Sequence, residues 1–172
     1  MNRRLVLCLV AVLVVLPLAL FADASGALVS LLADLPGWAG EQPDGADVSY
    51  SGARSLMAFR HYESGDKSFD ASILVGLQAQ GAWDAAYQEG FKMETPDGLM
   101  EVKTIDGFLV SYTYDKSGAS GGLLVFIQEA QTASGLAGLF AMEFQGMQLD
   151  EALKTAQRFN WQKIKDAVAR IK

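Results

Sequence analysis

Cysteine and histidine are almost absent from this sequence, and their scarcity excludes several kinds of chemistry. The chain has one cysteine, Cys8, and one histidine, His61. A single cysteine forms no internal disulfide, and a thiolate zinc site needs several. A Ser-His-Asp triad or an imidazole metal site would have to use His61, and no nucleophile motif accompanies it. We therefore predict no catalytic residue, no cofactor and no metal ligand, and we interpret His61 as a structural histidine, with a pH-responsive contact as the alternative.

Clustered basic charge is also missing. The chain has 14 Lys and Arg against 20 Asp and Glu, a formal net charge of −6 at pH 7. Affinity for phosphate backbones comes from grouped Lys and Arg side chains. The main concentration of basic residues lies near the C-terminus, where acidic residues interrupt it, and this is typical of a solvated helix face. We expect no nucleic acid partner, and no membrane contact except through an uncleaved N-terminal segment.

Long apolar runs are limited to the N-terminus. Arg3 and Arg4 precede an apolar stretch over residues 5–21, and Ala22-Asp23-Ala24 is the small-x-small pattern that signal peptidase cuts after. We predict a signal peptide over residues 1–24 and a periplasmic or extracellular location. The alternative is an anchor in the inner membrane, because about 17–25 apolar residues span a bilayer.

Hydrophobic periodicity predicts one α+β domain over residues 25–172. A first helix is expected over 26–35, a short helix over 82–91, and a long C-terminal helix over 149–171 that bends or breaks near Asn160. Alternation and turn residues predict strands over 56–62, 68–77, 99–105, 108–115, 123–129 and 136–145. The expected fold is an antiparallel sheet of about six strands, packed by the C-terminal helix and the shorter helices.

Four short motifs carry a resemblance to known proteins. They are Leu35-Pro36-Gly37-Trp38, Gly65-Asp66-Lys67, Thr104-Ile105-Asp106-Gly107 and Glu143-x-x-Gly146. With these motifs the chain resembles a group of small exported bacterial proteins of unassigned function, whose fold is similar to that of PsbP, an extrinsic protein of photosystem II. The resemblance spans nearly all of the mature chain. It implies a PsbP-like fold and a binding or assembly-accessory role outside the cytoplasm, without a role in photosynthesis.

The aromatic residues have two interpretations, an ordinary core or the lining of an apolar pocket between sheet and helix. The set consists of Tyr112, Tyr114, Phe126, Phe140, Phe144, Phe159 and Trp161. Trp38 and Trp83 lie near predicted loops and helix ends, which favours a surface or cleft role. The candidate contacts with a partner or ligand are therefore Trp38, Trp83, Tyr112 and Tyr114.

Glu143 is an acidic residue in an otherwise apolar predicted strand. Alternation places it on the face opposite Phe140, Met142 and Phe144. If helices cover both faces, Glu143 needs a cationic partner such as Arg60 or Arg158, so we expect a buried structural ion pair.

The expected function is that of an exported, non-catalytic binding or assembly-accessory protein of the bacterial cell envelope. Its partner would be another envelope protein, contacting the Trp38 loop and the sheet face that the final helix leaves uncovered. One alternative is a carrier of a small apolar ligand, which requires a continuous cavity lined by the aromatic residues. Another is a carboxylate-dependent hydrolase, which requires two acids converging in a cleft, one of them with a raised pKa.

Overall fold

The computed structural model describes residues 24–50, 53–84, 88–130 and 136–171. The predicted signal peptide lies outside these residues, except for Ala24. Within the described part of the chain, no helix has the length and apolar character required to cross a bilayer.

One antiparallel sheet of nine strands is the centre of the described structure. The strands are β1 Ala39–Gly40, β2 Asp44–Tyr50, β3 Ala53–Ser64, β4 Lys67–Gly76, β5 Lys92–Glu94, β6 Gly98–Ile105, β7 Phe108–Asp115, β8 Ser120–Gln128 and β9 Gly138–Gln145. The helices are α1 Ala24–Val29, α2 Leu77–Asp84, α3 Leu149–Ala156 and α4 Trp161–Val168. The strand order is β1-β3-β4-β9-β8-β7-β6-β5, and β2 also pairs with β3. The α+β class with an antiparallel sheet is therefore confirmed.

The expected number of strands, about six, is wrong because three strands leave little trace in the sequence. β1 has two residues and β5 has three, which is too short for alternation to be visible. β2 begins at Asp44 in a segment rich in Gly and Asp, which are depleted in strands. Pairing with β3 along its whole length compensates for this composition.

The central hairpins follow the prediction closely. β3 and β4 pair around a turn in which Gly65 adopts a φ of 66°, a conformation that costs glycine little. β6 pairs with β7, and β8 pairs with β9. In β7 the alternating residues Phe108 and Val110 are buried, as expected from the pattern.

Two of the predicted helices have different bounds. The first ends at Val29 and continues as hydrogen-bonded turns to Leu32. Leu28, Leu32 and Leu35 are buried as expected, whereas Leu31 is only partly buried. The short helix begins earlier than predicted, at Leu77, and ends at Asp84. Residues 88–91 are not helical, and residues 85–87 lie outside the described part.

The C-terminal helix is divided into α3 and α4, which confirms the predicted break. Asn160 is the N-cap of α4, and its side chain accepts a hydrogen bond from the backbone N–H of Lys163 at 2.9 Å. Asparagine is a favoured N-cap because its side-chain oxygen satisfies an otherwise unpaired N–H of the first turn.

Helices cover the two faces of the sheet unequally. Buried residues of α1, α3 and α4 form the main core with one face, which we call the helix-bearing face. On the other face, α2 forms a smaller cluster through Ala79 and Trp83, packed with Phe126 and Leu139. We call the second face the open face. Antiparallel sheets commonly have one face packed on the core and the other in contact with solvent.

The aromatic residues considered for a pocket are packed in these two clusters. Phe140 lies 4.9 Å from Phe159 between ring centroids, and Tyr114 lies 6.3 Å from Phe144. Phe126 is on the opposite side of the sheet, 4.9 Å from Trp83. The rings therefore occupy space that the carrier alternative assigns to a ligand.

Candidate docking face

The open face has a polar row across its middle strands. Strand register places His61 of β3 opposite Asp70 of β4, Asp70 opposite Glu143 of β9, and Glu143 opposite Gly122 of β8. Residues that are directly opposite in neighbouring strands have side chains on the same face. These residues come from distant parts of the sequence, and the sheet brings them into one row.

A groove of about 500 Å³ follows this row. His61, Asp70 and Glu143 line it, and glycines of β8 form part of its floor. A Cβ atom on Gly121 would lie 2.1 Å from the carbonyl oxygen of Thr113, so the close approach of the two backbones requires glycine there. At Gly122 a Cβ would make only ordinary contacts, which means that a larger residue would fill the groove.

His61 lies between two carboxylates. Its Nδ1 atom is 2.7 Å from Oδ1 of Asp70, and its Nε2 atom is 3.3 Å from Oε1 of Glu63. The hydrogen bond with Asp70 is the largest influence and raises the pKa of His61 above its usual value. Partial desolvation opposes this, whereas Glu63 and the charge of Glu41 add to it. His61 therefore joins β3 to β4 and becomes cationic at a higher pH than an unperturbed imidazole does.

Glu143 is exposed, so the expected buried ion pair is wrong. The otherwise apolar sequence of this strand suggested that helices cover both of its faces, but α2 covers only the end of β9 near Leu139. The carboxylate of Glu143 lies opposite that of Asp70, and like charges in such positions repel each other.

The two arginines expected as partners of Glu143 bind elsewhere. Arg60 donates to Oδ1 of Asp34 at 2.5 Å, and Arg158 donates to the carbonyl oxygen of Pro36 at 3.0 Å. Both contacts lie on the side of the sheet that carries α1 and α3.

Charge is unequally distributed between the faces of the sheet. Register places every lysine and arginine of the described strands on the helix-bearing face: Arg54, Arg60, Lys67, Lys92 and Lys103. The charged or titratable Asp, Glu and His residues of the open face in these strands are Asp44, His61, Glu63, Asp70, Asp115 and Glu143. The sequence of α2, which packs on the open face, also lacks Lys and Arg. The open face therefore has a negative field at neutral pH.

One exposed apolar side chain lies next to the acidic row, and two others lie further along the sheet. Phe59 of β3 is 42% exposed and lies two residues from His61 on the same face. Val48 of β2 is 59% exposed on that face, and Leu77 at the start of α2 is 60% exposed. The sequence alone did not indicate this combination, because alternation in β3 does not reveal which face α2 leaves uncovered.

The four aromatic residues proposed as contacts do not form one site. Tyr112 and Tyr114 are buried in the main core, where their hydroxyl groups donate to Glu101 and Gln148. Trp83 is a half-buried residue of α2, and its Nε1 donates to the carbonyl oxygen of Gly138 at 3.4 Å. Their role as contacts stays a prediction.

Trp38 lies at a separate cleft between its loop and α3. The ring is half-buried and packs edge-to-face against Phe69 at 4.7 Å. It lines a cleft of about 520 Å³ together with side chains of α3 that include Asp150 and Lys154. This cleft is on the helix-bearing side, so Trp38 and the open face are different surfaces.

Metal binding is not indicated in the described part of the chain, where no group of three or more His, Cys, Asp or Glu side chains has an arrangement suited to a metal ion. No protein-family model matches the sequence, and neither a curated protein nor a solved structure is significantly similar to it. The PsbP-like relationship therefore stays a prediction, and the argument for function depends on the site alone.

Proposed function

We propose that this protein is an exported, non-catalytic binding or assembly-accessory module of the bacterial cell envelope, which docks another envelope protein on its open face. One observation carries the proposal. Three helices bury the helix-bearing face, whereas the open face leaves Phe59 42% exposed beside a groove. Exposed aromatic residues beside polar groups are typical of protein contact surfaces.

The environment of His61 favours binding over nucleophilic catalysis. A catalytic histidine uses one ring nitrogen for an orienting carboxylate and the other for the nucleophile. Here both nitrogens face carboxylates, those of Asp70 and Glu63. No ring nitrogen is left to activate a hydroxyl group in this arrangement.

The exposure of the acids also favours binding over carboxylate hydrolysis. A carboxyl group that acts as a general acid at neutral pH usually sits in an apolar, shielded environment. The side chain of Asp70 is 63% exposed, and Glu143 is exposed as well. Exposed carboxylates are suited to electrostatic recognition of a partner.

Site-specific photocrosslinking in the native host tests the proposal. Phe59 is replaced by p-benzoylphenylalanine, and Lys163, which is exposed on α4 on the helix-bearing side, is replaced in the same way as a control. We expect one discrete adduct from position 59 and none from position 163. The mass of the uncrosslinked chain recovered from the same cells also reports whether it begins at Ser25. No adduct at position 59, or the same adducts at both positions, would refute docking on the open face.

A further inference from the structure

The chemistry of the open face points to a particular kind of partner. We infer that the open face receives an extended, lysine- or arginine-bearing segment of the partner protein, and that protonation of His61 weakens this contact. The inference depends on the proposed docking function and specifies its ligand and its regulation.

Charge complementarity supports a cationic segment. The described strands place acids but no Lys or Arg on the open face, so a basic segment meets attraction without a competing lysine or arginine. A second copy of this chain is disfavoured as the occupant, because two such faces would repel each other and the chain has a formal charge of −6.

The position of Glu143 gives the segment a specific anchor. Glu143 already experiences repulsion from Asp70, which lies opposite it, and the carboxylate of Asp70 is shared with His61. An ammonium or guanidinium group between β4 and β9 would relieve this repulsion. Gly122 leaves space beside Glu143 for such a group, because it has no side chain to fill the groove.

Phe59 supplies an apolar contact at a suitable distance from this anchor. Phe59 lies two residues, about 7 Å, along β3 from His61, and Glu143 lies two strand spacings, about 10 Å, across the sheet from His61, so Phe59 and Glu143 are about 12 Å apart. Alternate residues of an extended segment are about 7 Å apart and face the same side. Because lysine and arginine side chains are long, a segment with basic and apolar residues at alternate positions can contact both Phe59 and the groove.

His61 makes the contact dependent on pH. The charged groups that act on its ring are acidic, namely Asp70 and Glu63 through hydrogen bonds and Glu41 at longer range, with Glu143 beyond Asp70 in the row. Below its pKa, His61 is itself the cation that these carboxylates bind. A basic segment then meets repulsion from the imidazolium, so its affinity falls as the pH decreases.

The test uses a defined peptide and the folded protein in solution. The probe is the acetylated, amidated hexapeptide Lys-Ser-Leu-Ser-Lys-Ser, whose lysines and leucine share one side when extended, and the control peptide has Glu in place of each Lys. Backbone amide NMR spectra report where each peptide binds and yield a Kd. We expect saturable shifts on the open face with the lysine peptide alone.

Variants test the anchor and the pH effect. Glu143→Gln should raise the Kd about two- to fivefold, the range of a single exposed charge pair. Asp166→Asn on α4 removes the same charge from the helix layer and should leave the Kd unchanged. Lowering the pH from 8.5 to 5.5 should weaken binding more in the wild-type protein than in His61→Gln.

Two sets of results would overturn the inference. One is binding of both peptides alike, or of neither, on the open face. The other is an equal effect of Glu143→Gln and Asp166→Asn, or the same pH dependence with and without His61. If the photocrosslink at position 59 forms despite such results, the docking function stands and the cationic partner is wrong. If the crosslink is absent, the docking function itself fails.

Discussion

Replacing Arg60 by methionine tests whether this side chain holds the Trp38 loop against the sheet. This loop connects α1 to β2. The Arg60 side chain is 8% exposed. Its Nη1 donates to the carbonyl oxygen of Leu32 at 2.8 Å, and its Nε donates to that of Glu41 at 2.7 Å. The guanidinium also lies 5.0 Å from the ring centroid of Tyr62. One side chain therefore satisfies carbonyl groups on both sides of the loop.

The expected loss of stability follows from these two hydrogen bonds. Methionine retains most of the apolar stem of Arg60, but it leaves both carbonyl groups without their donor. An unsatisfied buried acceptor such as the carbonyl oxygen of Leu32 costs about 1–3 kcal/mol, and the partly buried carbonyl oxygen of Glu41 adds about 1 kcal/mol, so we expect a loss of about 2–4 kcal/mol. The contact with Asp34 adds little, since that carboxylate is 92% exposed and returns to water. For a chain of this size, Tm should fall by about 5–15 °C.

Urea denaturation of the wild-type protein and two variants measures this difference. The matched control is Arg54→Met, which removes another arginine of β3. The ion pair of Arg54 with Asp47 is partly exposed, with side-chain exposures of 32% and 34%. This control should lose no more than about 1 kcal/mol. If both variants unfold at the same urea concentration, Arg60 does not anchor the loop and the reasoning is refuted.

Two further predictions concern His61 and Trp38. Because His61 is the only histidine, its ring gives one set of NMR signals, and we expect its pKa to be above 6.5 and to fall towards that value in Asp70→Asn. The contribution of His61 to stability should be fully present below pH 6.5 and lost as the pH rises through the folded-state pKa. An unchanged titration in Asp70→Asn would show that Asp70 does not raise the pKa of His61. Trp38→Ala should lower the free energy of unfolding by about 1–3 kcal/mol in thermal denaturation, because the half-buried ring packs against Phe69. A loss below about 0.5 kcal/mol would instead assign Trp38 to surface contacts alone.

Local patterns in the sequence predicted the long strands well. In β7, Phe108, Val110, Tyr112 and Tyr114 form one alternating set, and all four side chains are buried. Asn160 interrupts an apolar helical stripe, and it is the N-cap at the break between α3 and α4. These features depend on residues close in sequence, so periodicity and capping chemistry are sufficient to predict them.

The amino-acid sequence by itself determined the α+β class, the central strands and the divided C-terminal helix. Only the tertiary structure decided that His61, Asp70 and Glu143 share one row, and that Glu143 faces solvent while Arg60 holds a loop. Alternation divides a strand into two faces, but it does not say which face a distant helix covers. That outcome depends on strand register and on the position of α2, which are set by packing between residues far apart in the chain.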